Sequence, residues 1–381
     1  MNIAVVNENR GFERRVALVP AVVSTLVKQG WSVTIEQGAG LGAAISDQAF
    51  AEAGATIGIN KAEILGSADV LVKVSPITPA ELDCLRSGQI VIGFLNPLGN
   101  PQTIGQLNDR GVTAFSMEMI PRTSRAQSMD ALSSQASIAG YKAVLLAADA
   151  LPRYFPMLTT AAGTIPPAKV LVMGAGVAGL QAIATARRLG ATVEAYDIRP
   201  AVKEEVQSLG AKFIDVTLKE ETVAAGGYAK EISQDAQEYA RQVLTKHVHD
   251  ADVVITTAQV PGRKAPVLVT EAMILGMKPG SVIVDLAADQ GGNCEGSQPG
   301  QTIECHGVKI LGPVNLPSTV ATHASQLYSK NVSNLLKLMV KEATIVLDFS
   351  DDIISGACLC HDREIRNQRV KDALAQLQVQ V

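Results

Sequence analysis

The sequence has few aromatic residues, few cysteines, no block of basic residues and no long apolar run. Aromatic residues make up 4% of the 381 residues and hydrophobic residues 47%, so small and branched aliphatic side chains carry the packing. The net charge is −4 without a basic block, which argues against nucleic acid as a partner. The length is sufficient for two domains with sizeable cores.

The cysteines are odd in number and scattered, which is typical of a reducing compartment. The group Cys358-Leu359-Cys360-His361 fits the spacing of no common metal site, so we expect no metal. Charged residues occupy the N-terminus where a signal peptide needs an apolar core. The uncharged, largely apolar run 170–186 is too short to cross a bilayer, and we therefore expect a soluble chain.

The most informative stretch runs from Lys169 to Arg199. The apolar run 170–173 is typical of a buried parallel strand, and the glycine motif follows it directly. A helix and a second strand, predicted at 192–196, then lead to Asp197, 23 residues after Gly174. This order of strand, glycine turn, helix, strand and acid is the dinucleotide-binding fingerprint, although a domain that has lost its ligand could also retain it.

Each residue of the fingerprint has a physical task. Gly174 permits the tight turn, Gly176 lets the backbone approach a pyrophosphate, and Gly179 lets the helix pack against the strand. The positive end of the helix then holds the phosphates. Asp197 accepts hydrogen bonds from the ribose and repels a 2′-phosphate, which favours NAD(H) over NADP(H). We expect Arg199 beside the adenosine or in solvent. The neighbouring residues predicted to contact the cofactor are Ala175, Val177 and Ile198.

A polar loop precedes a long helix predicted to end near Ala150. It carries Arg122, Gln127, Asp130 and Ser133 close to the start of the helix. Capping of the helix N-terminus explains an Asp and serines at such a junction. Alternatively, the four side chains line a polar pocket that faces a ligand.

Further candidates follow predicted strands of the same domain. Thr257 and Ala258 begin a loop at the C-terminal end of the strand predicted at 253–256, where ligands bind in such sheets. Asn315 lies in the loop after the strand predicted at 308–311. An insertion at 220–229 contains Gly226-Gly227, which we expect to be flexible, with Tyr228 at its tip.

The alternation of strands and helices predicts an α/β fold with two Rossmann-like domains, parallel doubly wound sheets and a cleft between them. The first domain is predicted to be discontinuous, formed by residues 1–130 and 320–381. Residues 131–319 are predicted to form the NAD(H)-binding domain. The amphipathic helix predicted at 320–341 returns the chain to the first domain.

Several segments together resemble one family. RAQSMD, KVLVMGAGVAGLQAIATARRLGA, GGYAKE and VDLAADQGGNCE are similar to the NAD(H)-binding alpha subunit, domain I, of proton-translocating nicotinamide nucleotide transhydrogenase. The resemblance covers essentially the whole chain. It implies that Arg122 and Asp130 hold the carboxamide of NAD(H), with Ser133 in the same polar loop. It also implies that Gln127 reaches toward the second nucleotide and that Tyr228 lies on a mobile loop that closes over NAD(H).

The resemblance also implies partners. The chain is expected to form a homodimer and to dock on the NADP(H)-binding domain of a beta subunit. Membrane-spanning subunits would couple hydride transfer to proton movement, with this chain attached peripherally on the cytoplasmic side. The sequence contains one dinucleotide fingerprint, so NADP(H) is expected on another chain.

Alanine dehydrogenase is the alternative. Arg15 and Lys73 match the residues that hold pyruvate in that family, but Asn96 stands where its catalytic His is expected. Because Asn cannot exchange a proton near neutral pH, amino-acid oxidation is disfavoured. Hydride transfer between two nicotinamides needs neither a general base nor a metal. A third interpretation is a non-catalytic NAD(H)-binding regulator.

Overall fold

Alternating strand-forming and helix-forming segments build two large sheets, each made mainly of parallel strands. The computed structural model describes residues 1–216, 233–259, 262–341 and 344–379, so the predicted contact Tyr228 lies outside the described residues. The chain divides into a first unit, residues 1–135 with 317–381, and a second unit, residues 136–316. The parallel sheets of the two units confirm the predicted α/β fold class.

The first unit contains an eight-stranded sheet in the order β19-β18-β6-β5-β4-β1-β2-β3. Strands β1 to β6 run parallel to one another, whereas β18 runs antiparallel to both of its neighbours, β6 and β19. The strands of this unit are β1 (Asn2–Val5), β2 (Ser32–Glu36), β3 (Thr56–Gly58), β4 (Val70–Val72), β5 (Ile90–Gly93), β6 (Thr113–Ser116), β16 (Val340–Lys341), β17 (Thr344–Ile345), β18 (Cys358–His361) and β19 (Glu364–Ile365). Its helices are α1 (Pro20–Lys28), α2 (Asp47–Glu52), α3 (Lys61–Ser67), α4 (Pro79–Cys84), α5 (Pro101–Asp109), α11 (Ala321–Met339), α12 (Asp352–Ala357) and α13 (Gln368–Val379).

The second unit contains a seven-stranded sheet in the order β11-β10-β9-β12-β13-β15-β14. Only β14 runs antiparallel to its neighbour within the described sheet. The strands of this unit are β7 (Leu158–Thr160), β8 (Gly163–Ile165), β9 (Lys169–Met173), β10 (Thr192–Tyr196), β11 (Lys212–Phe213), β12 (Val253–Thr256), β13 (Val282–Asp285), β14 (Thr302–Cys305) and β15 (Val308–Leu311). Of these, β7 and β8 pair with each other in a separate two-stranded sheet. The helices are α7 (Val177–Arg188), α8 (Lys203–Ser208), α9 (Gln234–Asp250) and α10 (Glu271–Leu275), and α6 (Ala131–Ala150) contains the boundary between the units.

Both faces of each sheet are covered. Alternate residues of β9 belong to different apolar clusters: Val170 and Val172 pack on one face, and Leu171 and Met173 pack on the other. This burial on two sides explains why the central strands are continuous apolar runs. In the part of the chain that the structure describes, no helix combines the length and apolar character needed to span a membrane.

The differences from the predicted elements lie at edges and ends. Helix α7 begins at Val177, inside the glycine motif, because the helix tolerates Gly179 in its first turn. Strands β18 and β19 at the C-terminal end of the chain extend the first sheet, and the sequence analysis predicted neither of them. Helix α9 begins at Gln234, and residues 217–232 lie outside the described residues.

Candidate functional site

Two glycines shape the turn between β9 and α7. Gly174 has a φ of +103°, a conformation that side chains strain to adopt. Gly179 lies so close to this turn that an added Cβ would stand 1.8 Å from the carbonyl oxygen of Gly174. The geometry therefore requires glycine at both positions, for the turn and for the close packing of the helix.

The third glycine has open space in front of it. An added Cβ at Gly176 would meet only an Arg199 nitrogen, at 4.0 Å. Gly176 is the N-cap of α7, and no side chain in the described part of the structure caps it. The first N–H groups of a helix have no partner within the helix, so this end can bind an anion. Val177, the first helical residue, is exposed beside this space.

Asp197 follows β10, and both of its carboxylate oxygens accept hydrogen bonds from other groups of the protein. Its Oδ2 accepts a hydrogen bond from the N–H of Ala175 at 2.7 Å. The Arg199 guanidinium donates from Nε to Oδ1 at 2.9 Å and from Nη2 to Oδ2 at 2.8 Å, and the Arg199 N–H donates to Oδ1 at 2.8 Å. Arg199 is thus ion-paired with Asp197, and its place beside the adenosine stays a prediction.

This ion pair sets the electrostatics of the turn. The hydrogen bonds to Asp197 raise the pKa of Arg199, so the guanidinium remains charged. Burial raises the pKa of Tyr196 to about 12, with the Asp197 carboxylate adding to the effect. The carboxylate is only 8% exposed, and the four hydrogen bonds occupy its lone-pair directions. A ribose can bind Asp197 only if Arg199 releases part of the carboxylate.

A buried carboxylate that the sequence analysis missed fixes the neighbouring loops. Asp285 is fully buried and accepts hydrogen bonds from the Thr256 hydroxyl, at 3.0 Å, and from the backbone N–H groups of residues 287, 293 and 294. Asn293 in turn accepts from the N–H of Ala258 at 3.0 Å and donates to the Ala258 carbonyl at 2.9 Å. Asp285 and Asn293 both lie in the segment VDLAADQGGNCE, but the sequence analysis assigned neither of them a role.

The remaining predicted cofactor contacts of this unit lie near the C-terminal ends of β10 and β12 or in the loop after β15. The Thr257 hydroxyl donates to the Gly174 carbonyl at 3.1 Å, which ties the end of β12 to the glycine turn. Ile198 is half-buried next to Asp197. Asn315 has a φ of +49°, a left-handed conformation that Asn tolerates better than most residues. The structure thus brings Gly174, Asp197 and Thr257 together and places Asn315 after β15.

In the first unit, the predicted polar loop is a short 3-10 turn, Ser124–Met129, followed by α6. Asp130 caps the start of α6, since its carboxylate accepts from the Ser133 N–H at 2.9 Å and from the Ser133 hydroxyl at 2.6 Å. The capping interpretation of these two residues is therefore confirmed. Arg122 and Gln127 are exposed on the same segment.

Polar side chains that the sequence analysis missed hold this turn in place. Asn331 and Asn334 of α11 donate to the Ser128 carbonyl at 2.9 and 3.1 Å. Arg125 forms ion pairs with Asp351, at 2.6 Å, and with Asp352. The Arg125 hydrogen bond lowers the pKa of Asp351 to about 2. Gln127 therefore projects from a turn that is fixed on both sides.

Lys73 and Arg15, the two residues that an alanine dehydrogenase would use to hold a keto acid, form ion pairs within the first unit. Lys73 is fully buried, and its Nζ lies 3.0 Å from Glu81 and 3.3 Å from Glu8. The Arg15 guanidinium donates to both carboxylate oxygens of Glu13 at 2.8 Å. Both cations therefore have carboxylate partners within the protein.

Two models of one protein family match the chain. Residues 4–139 match the N-terminal domain model of the alanine dehydrogenase/PNT family, and residues 143–368 match its C-terminal domain model. An NAD(P) transhydrogenase alpha subunit chain of Rhodospirillum rubrum is 49% identical over 374 residues, 96% of this chain and 97% of that protein. The crystal structure of transhydrogenase from Sinorhizobium meliloti has a TM-score of 0.85 at 43% identity, covering 97% of this chain and 99% of that one. The alanine dehydrogenase of Mycobacterium tuberculosis is 34% identical over 327 residues, 84% of this chain and 82% of that protein.

Proposed function

The chain belongs to the alanine dehydrogenase/PNT family, and from that premise we propose that it is the NAD(H)-binding subunit of a proton-translocating NAD(P) transhydrogenase. The relatives named as transhydrogenase alpha subunits support its assignment to such a complex. In this proposal, hydride passes between NAD(H) held by this chain and NADP(H) held by a partner subunit. Membrane-spanning subunits couple the transfer to proton translocation.

The glycine turn with Asp197 at the next strand end is the observation that carries NAD(H) binding. The uncapped start of α7 offers N–H donors to a pyrophosphate, and the space in front of Gly176 admits it. The Asp197 carboxylate binds the ribose hydroxyls after Arg199 gives up part of its hydrogen bonding. A 2′-phosphate would lie against that carboxylate, and this repulsion favours NAD(H).

The flanking residues complete the cofactor site in this proposal. Ala175 and Val177 contribute backbone groups beside the phosphates, and Ile198 packs beside the adenosine. Thr257 and Ala258 contact the cofactor from the end of β12, where Asn293 holds the Ala258 backbone and the Thr257 hydroxyl donates to the Gly174 carbonyl. Asn315 and Tyr228 act as further cofactor contacts.

The polar turn of the first unit acts at the nicotinamide. Arg122 and Asp130 orient the carboxamide, Ser133 fixes the Asp130 carboxylate, and Gln127 reaches toward the second nucleotide. The cofactors supply the hydride chemistry, and the protein supplies orientation and exclusion of water. A side chain that must be placed within about half an ångström needs a rigid support, which the tethered turn provides.

Amino-acid oxidation is the second candidate, because an alanine dehydrogenase is among the relatives. It requires a cationic pair free to hold a keto acid and a group that exchanges a proton. Here Lys73 and Arg15 are neutralised by buried carboxylates, and Asn96 follows β5 in place of a histidine. Releasing either cation would leave a buried carboxylate unpaired, which is costly.

The proposal includes the assembly. The chain forms a homodimer, docks on the NADP(H)-binding domain of a beta subunit, and is attached through its partners to the cytoplasmic side of the membrane. The deciding experiment measures NADH-dependent reduction of an NADP⁺-type acceptor with and without a purified transhydrogenase NADP(H)-binding domain. The proposal expects turnover only with that domain present. Turnover of alanine by this chain alone would overturn it in favour of the second candidate.

A further inference from the structure

A cysteine, a histidine and a glutamate converge at the antiparallel edge of the second sheet. Cys305 ends β14, His306 forms the turn that leads into β15, and Glu271 begins α10. One potential ligand atom of each residue lies within 4.8 Å of the others. His306 Nε2 is 3.5 Å from the Glu271 carboxylate.

These distances are close to those of a zinc site. Tetrahedral zinc with bonds of about 2.0–2.3 Å places its donor atoms roughly 3.3–3.6 Å apart. The imidazole and the carboxylate already have this separation, and a modest side-chain rotation brings in the thiol. We propose that Glu271, Cys305 and His306 bind a divalent cation of the zinc class, with water as the fourth ligand.

The donor set selects the type of cation. A thiolate and an imidazole favour zinc and similar transition metals, whereas magnesium and calcium prefer oxygen ligands throughout. Glu271 and His306 are exposed and Cys305 is half-buried, so a cation from solvent can reach all three. An exposed carboxylate by itself does not indicate a cation site. The assignment depends on the thiol and the imidazole beside it.

The backbone supports the arrangement from two directions. His306 has a φ of +51°, an uncommon conformation that sets the imidazole beside the preceding thiol. The N–H of Glu271 donates to the Glu295 carboxylate at 2.6 Å, which fixes the start of α10. A bound cation would link α10 to the β14–β15 hairpin, two elements distant in sequence, which is why the cysteine spacing alone predicted no metal.

A second thiol lies close to the site but does not compete for the cation. Cys294 is buried and its Sγ donates to the Glu295 carbonyl at 3.4 Å. Because Cys294 is buried and Cys305 is half-buried, Cys305 is the thiol that a cation from solvent can reach.

Cobalt titration of the full chain, freed of metal by a chelator, tests the proposal. Co²⁺ bound through a thiolate gives a charge-transfer band together with the visible bands of a tetrahedral ion, and Zn²⁺ should displace it. We expect one such site per chain. Cys305→Ser should abolish the charge-transfer band, and His306→Asn should weaken Co²⁺ binding by at least about tenfold.

The controls separate ligation from folding. Asn tolerates the left-handed backbone of residue 306, so His306→Asn removes the imidazole without straining the turn. Cys84→Ser changes a cysteine outside the cluster and should leave the spectrum unchanged. The proposal is overturned if no charge-transfer band appears, if the band survives in Cys305→Ser, or if folded His306→Asn binds Co²⁺ as tightly as the wild type. These readouts do not depend on hydride transfer.

Discussion

Two substitutions in the glycine turn form a paired test, since one should disturb the packing of α7 and the other should weaken NADH binding. Gly179→Ala places a Cβ 1.8 Å from the Gly174 carbonyl oxygen, where ordinary contacts begin near 3.4 Å. Helix α7 must therefore move by more than an ångström. Gly176→Ala places a Cβ 4.0 Å from its nearest neighbour, and a φ of −76° is acceptable for alanine.

The expected magnitudes differ accordingly. Overpacking of this kind costs about 1–3 kcal/mol. In a unit of this size each kcal/mol lowers the melting temperature by about 2–4 °C, so Gly179→Ala should melt roughly 2–12 °C lower. Gly176→Ala should change the stability by less than about 0.5 kcal/mol. It should nevertheless weaken NADH binding by at least about tenfold, or 1.4 kcal/mol, because its Cβ fills the space proposed for the pyrophosphate.

Thermal unfolding followed by circular dichroism, and NADH titration followed by fluorescence, measure the two effects on the same preparations. An unchanged melting temperature for Gly179→Ala would refute the close packing of α7 on the turn. Unchanged NADH affinity in Gly176→Ala would refute the placement of the pyrophosphate. Equal loss of stability and affinity in both variants would also contradict the reasoning, since it assigns one effect to each glycine.

Three further substitutions test individual side chains. Asp197→Ala should weaken NADH binding and reduce the discrimination against NADPH, because the ribose acceptor and the repelling charge are both removed; unchanged affinities in equilibrium titrations would contradict its role. Gln127→Leu should slow single-turnover hydride transfer far more than it weakens NADH binding, and equal losses would make Gln127 a simple binding residue. Asp351→Asn should be less stable than the wild type above pH 4, because Arg125 holds the Asp351 pKa at about 2 against a usual 3.8. This gap should close as the pH falls through that window, and a gap that persists at pH 2 in thermal melts would argue against the ion pair.

The local fingerprint was predictable because each element of it depends on neighbouring residues. A buried strand, a turn that needs glycine and an acid at the next strand end all leave marks at fixed spacing. The strands Thr192–Tyr196, Val253–Thr256 and Val308–Leu311 coincide with their predicted bounds for the same reason. The edge strand β19 has only two residues, too few for a pattern.

The contacts that the sequence did not reveal join distant residues. The sequence analysis placed Arg199 beside the adenosine or in solvent, and only the packed geometry shows its ion pair with Asp197. Asn331 reaches Ser128 across 203 positions, and Asn293 reaches Ala258 across 35. Asn331 lies in no quoted motif, and Asn293 lies in VDLAADQGGNCE without an assigned role, because an amide that holds a backbone carbonyl or N–H needs no particular neighbour in the sequence.

Direct transfer of a label tests the central claim. NADH carrying deuterium at the transferable C4 position would be mixed with NADP⁺, this chain and a transhydrogenase NADP(H)-binding domain, and the NADPH formed would be examined by mass spectrometry. The account predicts deuterium at C4 of NADPH without loss to water, since hydride passes between the two nicotinamides. Formation of unlabelled NADPH, or of deuterated alanine from pyruvate and ammonia by this chain alone, would contradict it.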